Sequence, residues 1–257
     1  MVKYEIFRKK DLFWKVSVNM ARNWNRFEKS YTGVDINGLI IGKSLNGIYA
    51  LKTDGYVDYQ SDVPVYFNQR GAKVPMSPRT NTTAYYKPGD YRFVDVNGDR
   101  KITTDDAVYC GSTLPELTGG IVSELRWKNF DVNLLMSFQL GRHMLDDTKT
   151  RALSSMSYLQ YNALVMDLNE VSFWEKPGDH PDYPKLECDR MNNMWDYVVD
   201  RDVEKVNYLK LKTLTMGYSF PKKWSRKAGI NELRVFISGE NLFTWTNYTG
   251  LHPETVN

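Results

Sequence analysis

The chain has 257 residues, 42% of them hydrophobic, 14% aromatic and 25% charged, and its net charge is only +3. A charge so close to balance, with both signs spread along the sequence, gives no clustered basic face for nucleic acid. No apolar run approaches the roughly 18 residues of a spanning helix, although a membrane β-barrel remains allowed because its strands alternate and keep overall hydropathy low.

The opening residues, MVKYEIFRKKDLFWKV, contain no apolar h-region and no small-residue cleavage site, so they do not read as a secretory signal. They read instead as a hairpin. A short run from Lys3 to Arg8 precedes one in which Leu12, Trp14, Val16, Val18 and Met20 oppose Asp11, Lys15, Ser17 and Asn19, with the turn at Lys9 and Lys10. A long connection follows, from about 26 to 118.

Within that connection lies DVNGDRKITTDD, from Asp95 to Asp106. Asp95, Asn97 and Asp99 occupy positions 1, 3 and 5 of a calcium loop, Lys101 offers its carbonyl at position 7 and Asp106 stands at position 12. A hard cation needs several oxygens at short range, and alternating side chains on a tight loop supply them. Arg100 replaces the usual glycine and Asp106 the usual bidentate glutamate, so the match is to shortened, dockerin-like loops. The competing reading is a set of Asx-turns with no metal.

The next elements are another hairpin. Ile121, Leu125 and Trp127 oppose Glu124, Arg126 and Lys128, and after a turn at Lys128 and Asn129 the run Asp131 to Gly141 puts Val132, Leu134, Met136, Phe138 and Leu140 on one face. Gly119 and Gly120 are expected at a strand entry or bulge. A second long connection spans about 144 to 202. Two further runs, Tyr208 to Phe220 and Glu232 to Trp245, each exceed an ordinary strand of about 5 to 6 residues and match the roughly 9 to 11 that cross a bilayer at a tilt. The apolar parity of the first changes near Lys212 and Thr213, which predicts a bulge or a change of environment there. Aromatic residues gather at strand ends, as in barrel girdles or as caps on a sandwich core.

Short and long connections thus alternate strictly, the pattern of an outer-membrane barrel with short periplasmic turns and long outer loops; a soluble antiparallel sandwich with two large loops is the alternative. The basic group Lys222, Lys223, Arg226 and Lys227 around Trp224 is read as a solvated turn before it is read as a lipid contact. Cys110 and Cys188 both fall in loop-like sequence; their pairing is undetermined, and their spacing fits no zinc pattern. His143, His180 and His252 are far apart, and no nucleophile elbow, zinc-protease helix or phosphate loop organises a reaction, so no catalytic residues and no enzyme activity are expected.

Five segments in order, GKSLNGIYALKTDGYV from Gly42, PGDYRFVDVNGDRKITTDD from Pro88, LPELTGGIVSELRWKNFDVNLLMSFQ from Leu114, YLKLKTLTMGYSFPKKW from Tyr208 and LRVFISGENLFTWTNYTGLHPE from Leu233, resemble the C-terminal part of SusC/RagA-type TonB-dependent outer-membrane transporters. The resemblance implies an all-β fold: an antiparallel transmembrane β-barrel segment of about six strands, from a barrel of about 22, with extracellular loops at about 26–118 and 144–202. It implies a fragment without plug or final strand, located in the cell outer membrane. The expected function is part of a TonB-dependent importer of oligosaccharides or other nutrients, partnered by a SusD-type lipoprotein, the TonB complex and outer-membrane lipid. Calcium is expected only as a structural ion of the outer loop, and the residues that bind the nutrient are unassigned. The alternative function is a secreted calcium-binding β-domain for adhesion or carbohydrate binding. Loop aromatics, including Tyr56, Tyr59, Tyr66, Tyr85, Tyr86, Tyr158 and Trp174, are expected to pack the loops first and to stack on sugars second.

Overall fold

A computed structural model describes residues 1–36, 39–78, 85–146, 171–185, 198–227, 229–250 and 253–254. The strands, in chain order, are β1 (Val2–Lys9), β2 (Leu12–Ala21), β3 (Gly47–Leu51), β4 (Thr53–Tyr56), β5 (Val65–Phe67), β6 (Lys73–Pro75), β7 (Tyr91–Phe93), β8 (Ala107–Ser112), β9 (Leu117–Trp127), β10 (Phe130–Leu145), β11 (Val203–Ser219) and β12 (Arg234–Thr246). A short helix, α1 (Lys222–Lys227), follows Pro221. The chain divides into two compact units. Met1–Asn25, Thr113–His143 and Lys205–Thr255 form the first; Arg26–Ser112, Met144–Glu204 and Val256–Asn257 form the second.

The first unit is built on one six-stranded sheet in the order β1-β2-β9-β10-β11-β12. It is a meander: each strand pairs with the preceding long strand of the chain, and the long connections interrupt the sequence without interrupting the pairing. Leu12 and Phe130 both stand opposite Trp127, and that register continues residue by residue from Trp14–Leu125–Val132 to Val18–Ile121–Met136. One face therefore carries rows of apolar side chains. The opposite face carries Lys15, Glu124, Asn133, Ser17 and Asn19, with Lys15 and Glu124 3.9 Å apart.

In β2, in β9 and from Val132 to Leu140 of β10, the apolar face of this sheet is nowhere fully buried: Trp14, Val16, Val18, Leu125, Val132, Leu134, Met136 and Phe138 are half-buried. Ser17, on the polar face, is the buried residue of β2, whereas Met20 on the apolar face is 62% exposed. Val235 and Ile237 of β12 are 57% and 68% exposed, and their register partners Tyr218 and Met216 continue the apolar surface.

The bulge expected near Lys212 is present. The β11–β12 register shifts between Leu211 and Thr213, where Leu211 pairs with Phe243 and Thr213 with Glu240, and Asn241 in the step takes φ +52°. An extra residue on β12 is absorbed there, and Asn tolerates the left-handed conformation better than most residues. Gly119 and Gly120 differ from expectation. They lie inside β9, with Gly119 directly opposite Met20 and Phe138, and a β-carbon on Gly119 would lie 2.4 Å from the Asn19 carbonyl oxygen and 2.5 Å from the Phe138 ring. The requirement is close approach, with the ring laid over the glycine backbone.

The ion pair of Arg234 and Asp131, bidentate with Nη2–Oδ2 2.5 Å and Nε–Oδ1 3.1 Å, crosses Gly217 of the intervening β11. A β-carbon at Gly217 would stand 2.6 Å from the guanidinium and 2.7 Å from the Asp131 carboxylate, so the fork would have to shift to admit one.

Candidate functional site

The two long connections contain structure that their loop-like composition does not announce. Antiparallel pairs β3–β8, β4–β7 and β5–β6 frame the second unit, and its core consists of Leu51, Val57, Val63, Met76, Tyr86, Tyr91, Phe93, Ile102 and Val199. Strands this short offer no readable alternation, so the sequence gives the apolar residues without their partners. The aromatic residues mostly serve packing. Tyr86 is 1% exposed, Tyr56 stacks on Tyr91 at 5.4 Å, and buried Trp174 donates its indole N–H to Asp58 at 3.0 Å. Tyr59 and Tyr85 are the exceptions, each 59% exposed. Tyr158 lies outside the described residues.

Gly89 shows how the segments are joined. It adopts φ +97°, donates its amide to the Val57 carbonyl at 2.8 Å and accepts from Lys185 N at 2.9 Å, while Trp174 leaves no room for a side chain. Arg201 adds a second tie by donating to the Tyr56 hydroxyl and, at 3.3 Å, to the Pro181 carbonyl. Burial, opposed by the Arg201 charge and hydrogen bond, holds the Tyr56 hydroxyl above its ordinary pKa, so the phenol remains a neutral donor to Pro181 at 3.0 Å.

The acidic loop closes on itself through backbone amides. Asp95 Oδ1 and Oδ2 accept from Gly98 N and Arg100 N, Asn97 Oδ1 accepts from Asp99 N, and Asp99 Oδ1 accepts from Lys101 N, each at 2.8 Å. Asp106 lies beneath them, 0% exposed. Its Oδ1 accepts from Val96 N at 2.9 Å and Asn97 N at 3.4 Å, and its Oδ2 accepts from Thr103 N at 2.8 Å. A single turn of 3₁₀ helix, Thr104–Asp106, capped by Thr103, sets the carboxylate in place.

Arg100, where calcium loops carry glycine, adopts the left-handed φ +70° that such a position demands. An L side chain there costs about 1 to 2 kcal/mol. Its guanidinium reaches the Phe67 carbonyl at 3.1 Å and lies 5.8 Å from the Tyr66 ring centre, contacts glycine would forgo. Among the described residues, no group of three or more His, Cys, Asp and Glu is arranged to share a metal ion.

Other sequence candidates stay apart. His143 lies in β10 of the first unit and His180 in the 171–185 segment of the second, and His252 is outside the described residues. Cys110 of β8 is half-buried; burial and the nearby Asp200 carboxylate push its thiol pKa up, so it is a poor nucleophile at neutral pH. Cys188 is outside the described residues.

In the first unit, sequence reasoning missed a charged latch behind β12. Glu254 accepts from Lys210 Nζ at 2.8 Å, lies 2.6 Å from Lys212 Nζ, and its neighbour Pro253 accepts from buried Arg142 at 3.4 Å. The signal available was the spacing of Lys210 and Lys212 on one side of β11, with an acid shortly beyond β12. Burial raises the Glu254 pKa, but the two lysines outweigh it and hold the carboxyl at about 2. A depressed acid contributes stability above its unfolded pKa and loses it as pH falls through the folded value. The latch is therefore expected to hold at neutral pH and to loosen between about pH 4.5 and 2. Hydrogen exchange at the Glu254 amide, followed as pH falls, checks this; Glu254→Gln should show the loosened state already at pH 7.

No protein-family profile matches the chain. Curated relatives do. The TonB-dependent receptor P3 of Formosa agariphila is 27% identical over 258 residues, covering 95% of this chain. SusC of Bacteroides thetaiotaomicron, a TonB-dependent receptor, is 23% identical over 256 residues, again covering 95%. The chain resembles SusC-type TonB-dependent receptors along nearly its whole length.

Solved structures agree on the fold. The chain superposes on the RagAB peptide transporter with a TM-score of 0.63 at 20% identity, covering 96% of this chain and 25% of that one. The RagAB peptide importer in its closed-closed state gives 0.58 at 21% identity. The chain spans 23% of the length of the Formosa receptor and 22% of SusC. These SusC-type relatives are receptors and transporters, not enzymes, so the likeness carries no catalytic site to this chain.

Proposed function

We propose that the chain forms a contiguous stretch of the wall of an outer-membrane β-barrel, with its long connections on the outer side, in a TonB-dependent nutrient importer that works with a SusD-type lipoprotein. The observation that carries this reading is the apolar face of the sheet: its residues from Leu12 to Met20 and from Val132 to Leu140 are half-buried or exposed and none is buried, while Ser17 on the opposite face is the buried residue of β2. A soluble sandwich buries that apolar face against a second sheet. A barrel wall turns it to lipid. Oligosaccharide or peptide is the substrate class, with exposed Tyr59 and Tyr85 the aromatic surfaces available for stacking.

Detergent dependence tests the proposal. The chain is expected to aggregate in plain buffer and to enter micelles or lipid vesicles, where it resists carbonate extraction. A monodisperse, folded monomer in plain buffer would overturn it in favour of a secreted β-domain.

A structural calcium ion at the acidic loop is a separate proposal. It is favoured by the turns that preset the Asp95, Asn97 and Asp99 side chains and by the left-handed backbone at Arg100. Those three side chains and the Lys101 carbonyl are the donors, and Asp106 either joins them or braces the loop from below. Calorimetric titration should show binding that Asp95→Asn together with Asp99→Asn abolishes, together with slower proteolysis of the loop. No heat at millimolar calcium would refute it.

A further inference from the structure

The three short connections of the six-stranded sheet lie at one end and are joined by their backbones. Lys128 N donates to the Asp11 carbonyl at 2.8 Å, and Ser219 N donates to the Asn129 carbonyl at 2.9 Å. This end is strongly basic. Lys9 and Lys10 come from the first turn, Lys128 from the second, and Lys222, Lys223, Arg226 and Lys227 from α1; all are exposed. Among the described residues none of them has a carboxylate within ion-pairing distance, and the exposed acids at this edge are Asp11 and Glu232.

The same end carries a band of rings. Trp127 stacks beside Phe130 at 6.4 Å, Phe130 meets Tyr218 at 4.7 Å, and Tyr218 meets Phe220 edge-on at 4.9 Å. Trp127 and Phe130 are more than half exposed, and Trp224 projects from α1 at 61% exposure between basic neighbours. Ser225 is the residue of α1 that the fold buries, so the helix is anchored by one small side chain and presents its lysines and tryptophan outward.

A merely solvated turn needs charge but not exposed indole. A protein partner recognised by these groups would need an acidic face shaped to three separate turns. A headgroup layer needs neither shape nor sequence: it supplies phosphate to the cations and an interfacial zone in which Trp, Tyr and Phe are favoured. We infer that this rim, formed by Lys10, Lys128, α1 and the ring band above them, is a docking surface for anionic phospholipid headgroups.

The inference rests on the barrel-wall reading and adds to it a lipid class and a side. Each Lys or Arg close to an anionic surface strengthens binding by about five-fold at moderate salt, and the attraction is screened within a Debye length. The chain should therefore partition onto phosphatidylcholine vesicles containing a third phosphatidylglycerol far more strongly than onto phosphatidylcholine alone, and raised salt should erase most of the difference.

The decisive comparison uses two variants of the whole chain. Replacing Lys222, Lys223, Arg226 and Lys227 by glutamine should reduce the anionic preference by at least ten-fold. Replacing the exposed Lys29, Lys52, Arg70 and Lys73 of the second unit by glutamine should leave it unchanged. Equal loss in both would mean net charge alone is read, and equal binding to neutral and anionic vesicles would mean no headgroup preference; either overturns the inference while leaving membrane insertion intact. Failure to resist carbonate extraction from any vesicle would instead overturn the barrel-wall reading.

Discussion

Asp106→Ala should destabilise the second unit by about 4 kcal/mol, a large share of what a domain of this size possesses. The carboxylate is fully buried and accepts from Val96, Asn97 and Thr103. Hydrogen bonds to a charged group are each worth about 1.5 to 3 kcal/mol, and removing the acceptor strands amides where water does not replace it. Asp106→Asn keeps one carbonyl oxygen but offers an amino group where an acceptor is needed, and should cost about half as much. Hydrogen exchange at Val96 and Thr103, read alongside the urea midpoint, provides the measurement. Protection unchanged in the alanine variant would show that the loop is held by something other than this carboxylate.

In the first unit the largest effect is expected at Gly119. Gly119→Val would drive side-chain atoms into the Asn19 carbonyl and the Phe138 ring, both already too near for a single β-carbon. Phe138 can rotate, but Asn19 O belongs to the β2 backbone, which is fixed by its register with β9 from Leu12 to Ala21. A loss of about 3 kcal/mol is expected from overpacking and strand displacement. Gly98→Ala is the useful contrast. It has open space around it but φ +76°, so only conformational strain of about 1 to 2 kcal/mol applies. Unfolding in detergent should rank the two in that order; equal losses would mean that crowding at Gly119 is relieved by adjustments within the sheet.

The long strands were legible because a period of two persists over nine residues. Leu12 to Met20 and Val132 to Leu140 announce both strand and face, and even the bulge at Leu211–Thr213 was visible as a change of parity. Turn chemistry located the short connections. The second unit was not legible in the same way, because β4, β5, β6 and β7 are too short to show a period and their partners lie far away in sequence. Gly119 illustrates another limit: its composition signalled an exception, but only the register with Phe138 explains it. The acidic loop was found by its oxygen spacing, whereas the role of Asp106 depends on burial and on amides ten residues upstream. Arg100 hid its left-handed backbone behind a residue type that seldom adopts it.

The six-stranded meander has a consequence for divergence. Its registers are set by hairpins at Lys10–Asp11 and Lys128–Asn129 and by direct pairing of β2 with β9, none of which requires a particular length of intervening chain. Among the described residues, the second unit's core comes from the two excursions. Insertions, deletions and recombination can therefore accumulate in those excursions while the strand alignment stays in frame, so descendants of one scaffold can acquire new recognition surfaces without relearning how to fold.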